Sequence, residues 1–295
     1  MLPEFTVPSC IKSLICDFIF RDREMLENAV SHLCNQAGLK SRLPFSAPLN
    51  VLHSNFSNVL NNFDYKPTTL SIDLPVLLKR NQHNETLIIC AMDPLAPEPH
   101  SAFWNIMGQK PDQSLNLWIP FSLSEPWNTP KGSMSSNLAF FETLSQYYTL
   151  YVTDLFKLFF RVPNKKGHIR SNTIAAYTQM KSTTGNDLHQ EMLAKEIECI
   201  KPKAIITLGN ASRDRLLSMD KFSNSLGHKS EWKQNIQMYT TVYGLPHFAL
   251  PHISNAANGS KAPILNNPEF NIITGTRSNE RLAKILHYTL QNQLK

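Results

Sequence analysis

The chain has no run of 18 apolar residues, so no transmembrane helix is expected. Its first residues lack a basic start, an apolar stretch and a small-residue cleavage site, so no secretory leader is expected either. Its five cysteines, Cys10, Cys16, Cys34, Cys90 and Cys199, include no C-x-x-C pair and are odd in number. That excludes a zinc-ribbon spacing and a full disulfide framework, and it predicts reduced thiols in a cytoplasmic protein. Internal repeats and low-complexity segments are absent. What is present is a globular composition, 42% hydrophobic over 295 residues, with a net charge of +6 and a pI of about 9.0. A core of that size needs no metal or disulfide staple. The positive balance predicts an acidic partner, of which nucleic acid is the commonest, or simply a mildly basic soluble protein.

Residues 1–84 are expected to form a helical N-terminal extension. Met25, Leu26, Val30 and Leu33 fall at helical spacing, and Lys66-Pro67 breaks the pattern. Residues 85–295 alternate strands and helices, which predicts an α/β domain, a three-layer sandwich. Its mostly parallel central sheet is expected to have about four strands. Candidate strands are Leu87–Ala91, Leu115–Phe121, Thr149–Thr153 and Ala204–Leu208, with a hairpin-like stretch from Ile236 to Leu250. Candidate helices are Leu138–Ser145, a helix capped by Asn186 and ended by Lys201-Pro202, Ser212–Ser218, and Asn279–Leu294. Residues 161–185 form a basic loop containing Lys165 and Lys166.

Three apolar runs end in residues able to do chemistry: Leu87 to Ala91 before Met92-Asp93-Pro94, Leu150 to Thr153 before Asp154, and Leu250-Pro251 before His252. Ligands of open α/β sheets bind where the carboxyl ends of parallel strands meet. An acid, a second acid and a histidine on one rim would form an active site. Each has a bland reading: Asp93 caps a turn before its proline, His252 is a satisfied loop histidine, and Asp154 caps a neighbouring element.

The stretch Glu196-Ile197-Glu198-Cys199-Ile200-Lys201-Pro202-Lys203-Ala204-Ile205-Ile206-Thr207-Leu208-Gly209-Asn210-Ala211 resembles a helix–strand–helix segment of the uracil-DNA glycosylase superfamily. Ala91-Met92-Asp93-Pro94 resembles that family's first catalytic motif. Leu250-Pro251-His252-Ile253-Ser254 resembles its histidine-proline-serine motif, with Ile253 replacing the proline. Tyr151-Val152-Thr153-Asp154 resembles the strand where the family usually places Asn. The resemblance covers roughly residues 85–290 and implies a monofunctional DNA glycosylase that flips a base and leaves an abasic site.

On that resemblance Asp93 stabilises the sugar cation and orients water, and His252 donates to the leaving base. Phe103 stacks on the base or belongs with Trp104 to the core. Ser254 contacts phosphate, and the loop from Asn255 to Lys261 enters the DNA, although it lacks the bulky wedge some members carry. Lys165 and Lys166 track phosphates or are merely solvated. Lys157 is expected to be solvated or phosphate-facing. The cysteine spacing does not match the family's iron–sulfur branch, so no cofactor and no metal are expected. The expected partner is double- or single-stranded DNA, with no membrane, and the protein is expected to be a monomer.

An ionised Asp154 has no donor for uracil O4, whereas it can accept from the amino group of cytosine N4. Leu95-Ala96 stand where 5-substituent-rejecting relatives carry a Tyr, which leaves room at the pyrimidine C5. The two departures together imply a 5-modified cytosine, hydroxymethylated or glucosylated, and a defence role against modified phage DNA. The competing readings are a uracil-DNA repair glycosylase, a non-catalytic nucleic-acid-binding member of the fold, and a nucleoside hydrolase.

Overall fold

The computed structural model describes residues 4–35, 45–53, 69–80, 83–92, 114–122, 134–163, 169–171, 187–219, 236–241, 244–254 and 258–294. Strands β5 (Thr86–Ala91), β7 (Thr149–Asp154), β10 (Ala204–Leu208) and β12 (Pro246–Leu250) lie side by side and parallel in the order β7-β5-β10-β12. Strands β7 and β10 are buried at every position, as is β5 beyond its first residue. Burial on both faces explains why these segments read as continuous apolar runs and do not alternate.

Three of the four candidate strands, β5, β7 and β10, are joined by β12 from the hairpin-like stretch, and together they are the centre of a larger, mixed sheet. Strands β4 (Val76–Lys79) and β1 (Glu4–Thr6) extend it antiparallel on one side, and β11 (Gln237–Thr240) closes the other, giving seven strands. A second sheet of five strands runs in the order β2-β6-β3-β8-β9. It joins β2 (Phe45–Pro48), β3 (Thr69–Asp73), β6 (Ser114–Trp118), β8 (Phe159–Pro163) and β9 (Ile169–Ser171). The β6 candidate therefore exists but belongs to this second sheet. The supposed basic loop is partly a hairpin, because β8 and β9 pair antiparallel. Short links carry the chain from one sheet to the other, β3 into β4 and β7 into β8.

The first 84 residues were expected to be helical. Their described residues do include two helices, α1 (Ser9–Phe18) and α2 (Arg23–Asn35), but also four strands, of which β1 and β4 pair in the central sheet. Phe5, Leu78 and Ile72 are buried in the common core as a result. Strands of three or four residues, as β1, β2 and β4 are, lie beneath what an apolar period can show.

The other α-helices among the described residues are α3 (Met134–Leu144), α4 (Leu188–Ile200), α5 (Asn210–Ser218), α6 (Asn258–Leu265) and α7 (Ser278–Gln293). The cap of α4 is Asp187, one residue beyond the expected Asn186. Its carboxylate accepts the amides of His189 at 3.0 Å and Gln190 at 3.2 Å, and it also pairs with Arg215. The helix ends at Lys201 in the left-handed region, φ 50°, just before Pro202. Among the described residues no helix is long and apolar enough to cross a membrane.

Five free thiols were expected, and here the structure corrects the sequence reading. Cys10 of α1 and Cys199 of α4 are bonded, with Cα atoms 6.4 Å apart, which ties the N-terminal helix to the α/β core. The two lie 189 residues apart, so no local spacing could announce the pair. Cys16, Cys34 and Cys90 are free. Thiol titration in denaturant should count three free groups before reduction and five after it. Five before reduction would show the bond does not form.

Candidate active site

The register of the parallel strands lines up their carboxyl ends. Ala91 pairs with Asp154, Cys90 with Thr207, and Leu208 with Leu250, so Ala91, Asp154, Leu208 and Leu250 form one row. Just beyond this row a cavity of about 330 Å³ opens. Asp154 and His252 both line it, together with Ala91 and Met92 of the β5 end and residues Gly209 to Ser212 at the start of α5. Of the two acids and the histidine expected on one rim, the structure brings Asp154 and His252 to the same cavity. Asp93, Leu95, Phe103, Asn255, Lys165 and Lys166 lie outside the described residues.

Asp154 is 3% exposed, the last residue of β7. The chain after it is tied to the end of β5: Leu155 N–H donates to Ala91 O at 3.0 Å, and Phe156 N–H to Met92 O at 2.9 Å. His252 follows β12 by two residues. Its Nδ1 accepts the amide of Ser254 at 3.1 Å. That hydrogen bond fixes the tautomer, because an accepting Nδ1 leaves the proton of a neutral ring on Nε2. Burial, and secondarily the charge of Lys261, hold the imidazole below its ordinary pKa of 6.5. The ring is therefore neutral near pH 7 and its Nε2–H is a donor.

Gly209 links β10 to α5 at φ 97°, a conformation that disfavours side chains. A β-carbon there would sit 3.5 Å from the His252 β-carbon, so this turn and the histidine loop are in close contact. Gly209 N–H also donates to Leu250 O at 2.8 Å. No side chain caps α5, and by helix geometry its first-turn amides have no carbonyl within the helix. The positive end of the helix thus borders the cavity beside His252.

The role expected for Lys261 in DNA contact does not survive. Helix α6 buries it completely beneath the histidine loop. Its Nζ donates to Ile253 O at 3.3 Å, Ser254 O at 3.1 Å and Asn279 Oδ1 at 2.9 Å. Asn279 in turn donates to Ile253 O at 2.6 Å. Burial pushes the Lys261 ammonium below its ordinary pKa. Ile253, the residue in place of a proline, is itself fully buried, and the two hydrogen bonds to its carbonyl hold the loop. Ser254 contributes its amide to the His252 tautomer.

Lys157 is likewise corrected. It is 2% exposed and paired with Glu196, neither solvated nor facing phosphate.

Three further residues line the cavity that the sequence reading did not assign: Asp73 from β3, Trp118 from β6, and Asn137 from α3. Leu70, Ile72 and Leu74 alternate with Ser71 and Asp73, so Asp73 is another strand-terminal acid. That period-two signal was legible in the sequence. Nothing in the sequence marks Asn137, which reaches the cavity only through packing of α3.

Among the described residues no group of three or more His, Cys, Asp or Glu gathers in a way that could hold a metal ion. The arrangement offers a carboxylate acceptor, a neutral imidazole donor and a helix N-terminus around a cavity of ligand size. It can accept from an amino group and stabilise developing negative charge. Comparison with known proteins yields no matching family model and no matching curated protein.

Proposed function

We infer that this chain is a DNA N-glycosylase that hydrolyses the N-glycosidic bond of a 5-modified cytosine. The observation that carries the reading is that Asp154 and a neutral His252 line one cavity at the carboxyl ends of the parallel strands. It agrees with the motifs that resemble the uracil-DNA glycosylase superfamily.

In the proposed reaction the bond from the sugar C1′ to the base nitrogen breaks. The electron pair leaves with the base, and the sugar becomes an oxocarbenium-like cation. Water then bonds to C1′, gives up a proton and leaves an abasic site. The anionic charge on the departing base is stabilised by the His252 Nε2–H and the positive end of α5. Asp93, two positions beyond the last residue of β5 in the sequence, supplies the carboxylate that favours the cation and orients the water. Asp154 accepts from the N4 amino group, which separates cytosine from uracil. Removal of ordinary cytosine would destroy the host genome, so the substrate carries a C5 substituent, and the role is defence against modified foreign DNA.

The test is base release from matched duplexes containing uracil, cytosine, 5-hydroxymethylcytosine or its glucosylated form. The wild-type protein should release modified cytosine only, and Asp93→Ala should release none. Asp154→Asn should move preference toward uracil by about 1–3 kcal/mol, or roughly 5- to 150-fold, because the amide restores a donor for O4. Uracil release by the wild type would return the protein to ordinary repair. Duplex binding without release of any base would leave a non-catalytic binding protein.

A further inference from the structure

We propose that Lys157 is a positioning residue that aims the Asp154 carboxylate into the cavity by gripping the end of β7 from its opposite face. The proposal rests on Asp154 being the base reader.

Side chains of a strand alternate between faces, so Thr153 points away from Asp154 and toward helix α4. There Lys157 Nζ makes three short hydrogen bonds: to Thr153 Oγ1 at 2.6 Å, to the main-chain oxygen of Asp154 at 2.6 Å, and to Glu196 Oε2 at 2.7 Å. An ammonium has three donors, and each one is used. The Thr153 hydroxyl donates to the Glu196 carboxylate, at 3.3 Å to Oε2, closing the triangle. The Lys157 amide donates to Nδ1 of His189 on α4 at 3.0 Å. The turn from Asp154 to Lys157 is therefore fixed at both ends by α4, and the adjoining peptides of Leu155 and Phe156 are fixed by β5.

Stability alone does not account for this arrangement. Lys157 is 2% exposed and Glu196 0%, and apolar side chains in place of such a pair usually stabilise a protein at least as well. Two of the three lysine donors go to groups that flank the Asp154 side chain along the backbone. With the peptide carbonyl held, the carboxylate is left with few orientations. A base read by one carboxylate depends on that, because a reader displaced by about 1 Å loses its selectivity.

Two variants separate a grip from a mere ion pair. Glu196→Gln removes the pair but keeps an oxygen acceptor, so Lys157 still holds Thr153 and the Asp154 carbonyl. Lys261 shows that this protein accommodates an ammonium held by three neutral oxygens. Lys157→Met/Glu196→Leu removes the pair and the grip together while leaving no buried charge. Crystal structures of the two should differ. The Asp154 carboxylate keeps its place in Glu196→Gln and leaves it in the double variant. In base-release assays the double variant should lose about tenfold or more of the preference for modified cytosine over uracil, while Glu196→Gln stays near wild type. An unmoved carboxylate in the double variant overturns the proposal. So does a displaced one in Glu196→Gln, which stands as a test even if the double variant does not fold. The crystallographic comparison needs no substrate. Absence of glycosylase activity would therefore sink the proposed function and leave this test intact.

Discussion

His252→Ala should lower the rate of base release by about 10²–10³-fold, the usual effect of removing one preorganised donor from a developing anion. The loss should fall on kcat, with KM nearly unchanged, because the donor bonds most strongly once charge has built up on the base. The pH profile should carry a second signature. Donation from Nε2 to an anion, with Nδ1 accepting from Ser254, uses the neutral ring. Burial and the Lys261 charge hold its pKa below 6.5, so activity should persist as pH falls through 6.5 and decline only at lower pH. Lys261→Met removes that charge and should move the acid limb upward, toward the ordinary value. A rate that falls as pH rises through 6.5 would mean that the imidazole acts in its protonated form, and an acid limb at 6.5 or above would mean that its pKa is not lowered. A rate unchanged by His252→Ala would remove the histidine from the chemistry altogether.

The residues that the sequence showed best were those whose environment is set by neighbours along the chain. Ile88 and Ile89 of β5 and Ile205 and Ile206 of β10 are buried on both faces, so continuous apolar character was enough to find their strands. Asp154 and His252 were legible because each ends such a run. Lys261 and Lys157 were misread for a single reason. A lysine reads as solvated even within an apolar run such as Leu155-Phe156-Lys157-Leu158, and only tertiary packing decides that the histidine loop covers one and α4 the other. The edge strand β1 and its neighbour β4 were missed because a three- or four-residue strand gains its stability from its partners in the sheet. The link between Cys10 and Cys199 depends on the docking of α1 on α4, which no local spacing records. Asp73 was missed for a different reason, since its alternating segment was visible in the sequence.

Acid should unfold this protein steeply, and the cause is two buried histidines. His189 and His247 are fully buried, and burial is the leading reason that each has its pKa lowered from 6.5 to about 3. In the unfolded chain both imidazoles take up protons near pH 6.5, whereas in the folded protein they stay neutral until about pH 3. Below pH 6.5 the unfolded state thus binds about two more protons than the folded one. Stability is fully present above that pH and falls by about 2.7 kcal/mol for each unit down to the folded pKa. Since whole domains are stable by only about 5–15 kcal/mol, unfolding is expected between pH 5 and 3 on this account. His252 and His287, whose pKa values are also lowered by burial, add to the same slope. Urea unfolding at a series of pH values measures it directly. His247→Gln should lower it by one proton, about 1.4 kcal/mol per pH unit, since the amide can still bond Thr207, the partner of His247 at 2.8 Å, without titrating. A stability independent of pH between 6.5 and 4 would mean that these imidazoles are hydrated or paired with acids in solution. His189 gives the effect a local consequence as well. Its Nδ1 is the acceptor for the Lys157 amide, and a protonated ring has no lone pair to offer. Protonation of His189 in the folded protein, near pH 3, releases the turn that follows Asp154, so base discrimination should outlast the first loss of stability and fail only toward pH 3.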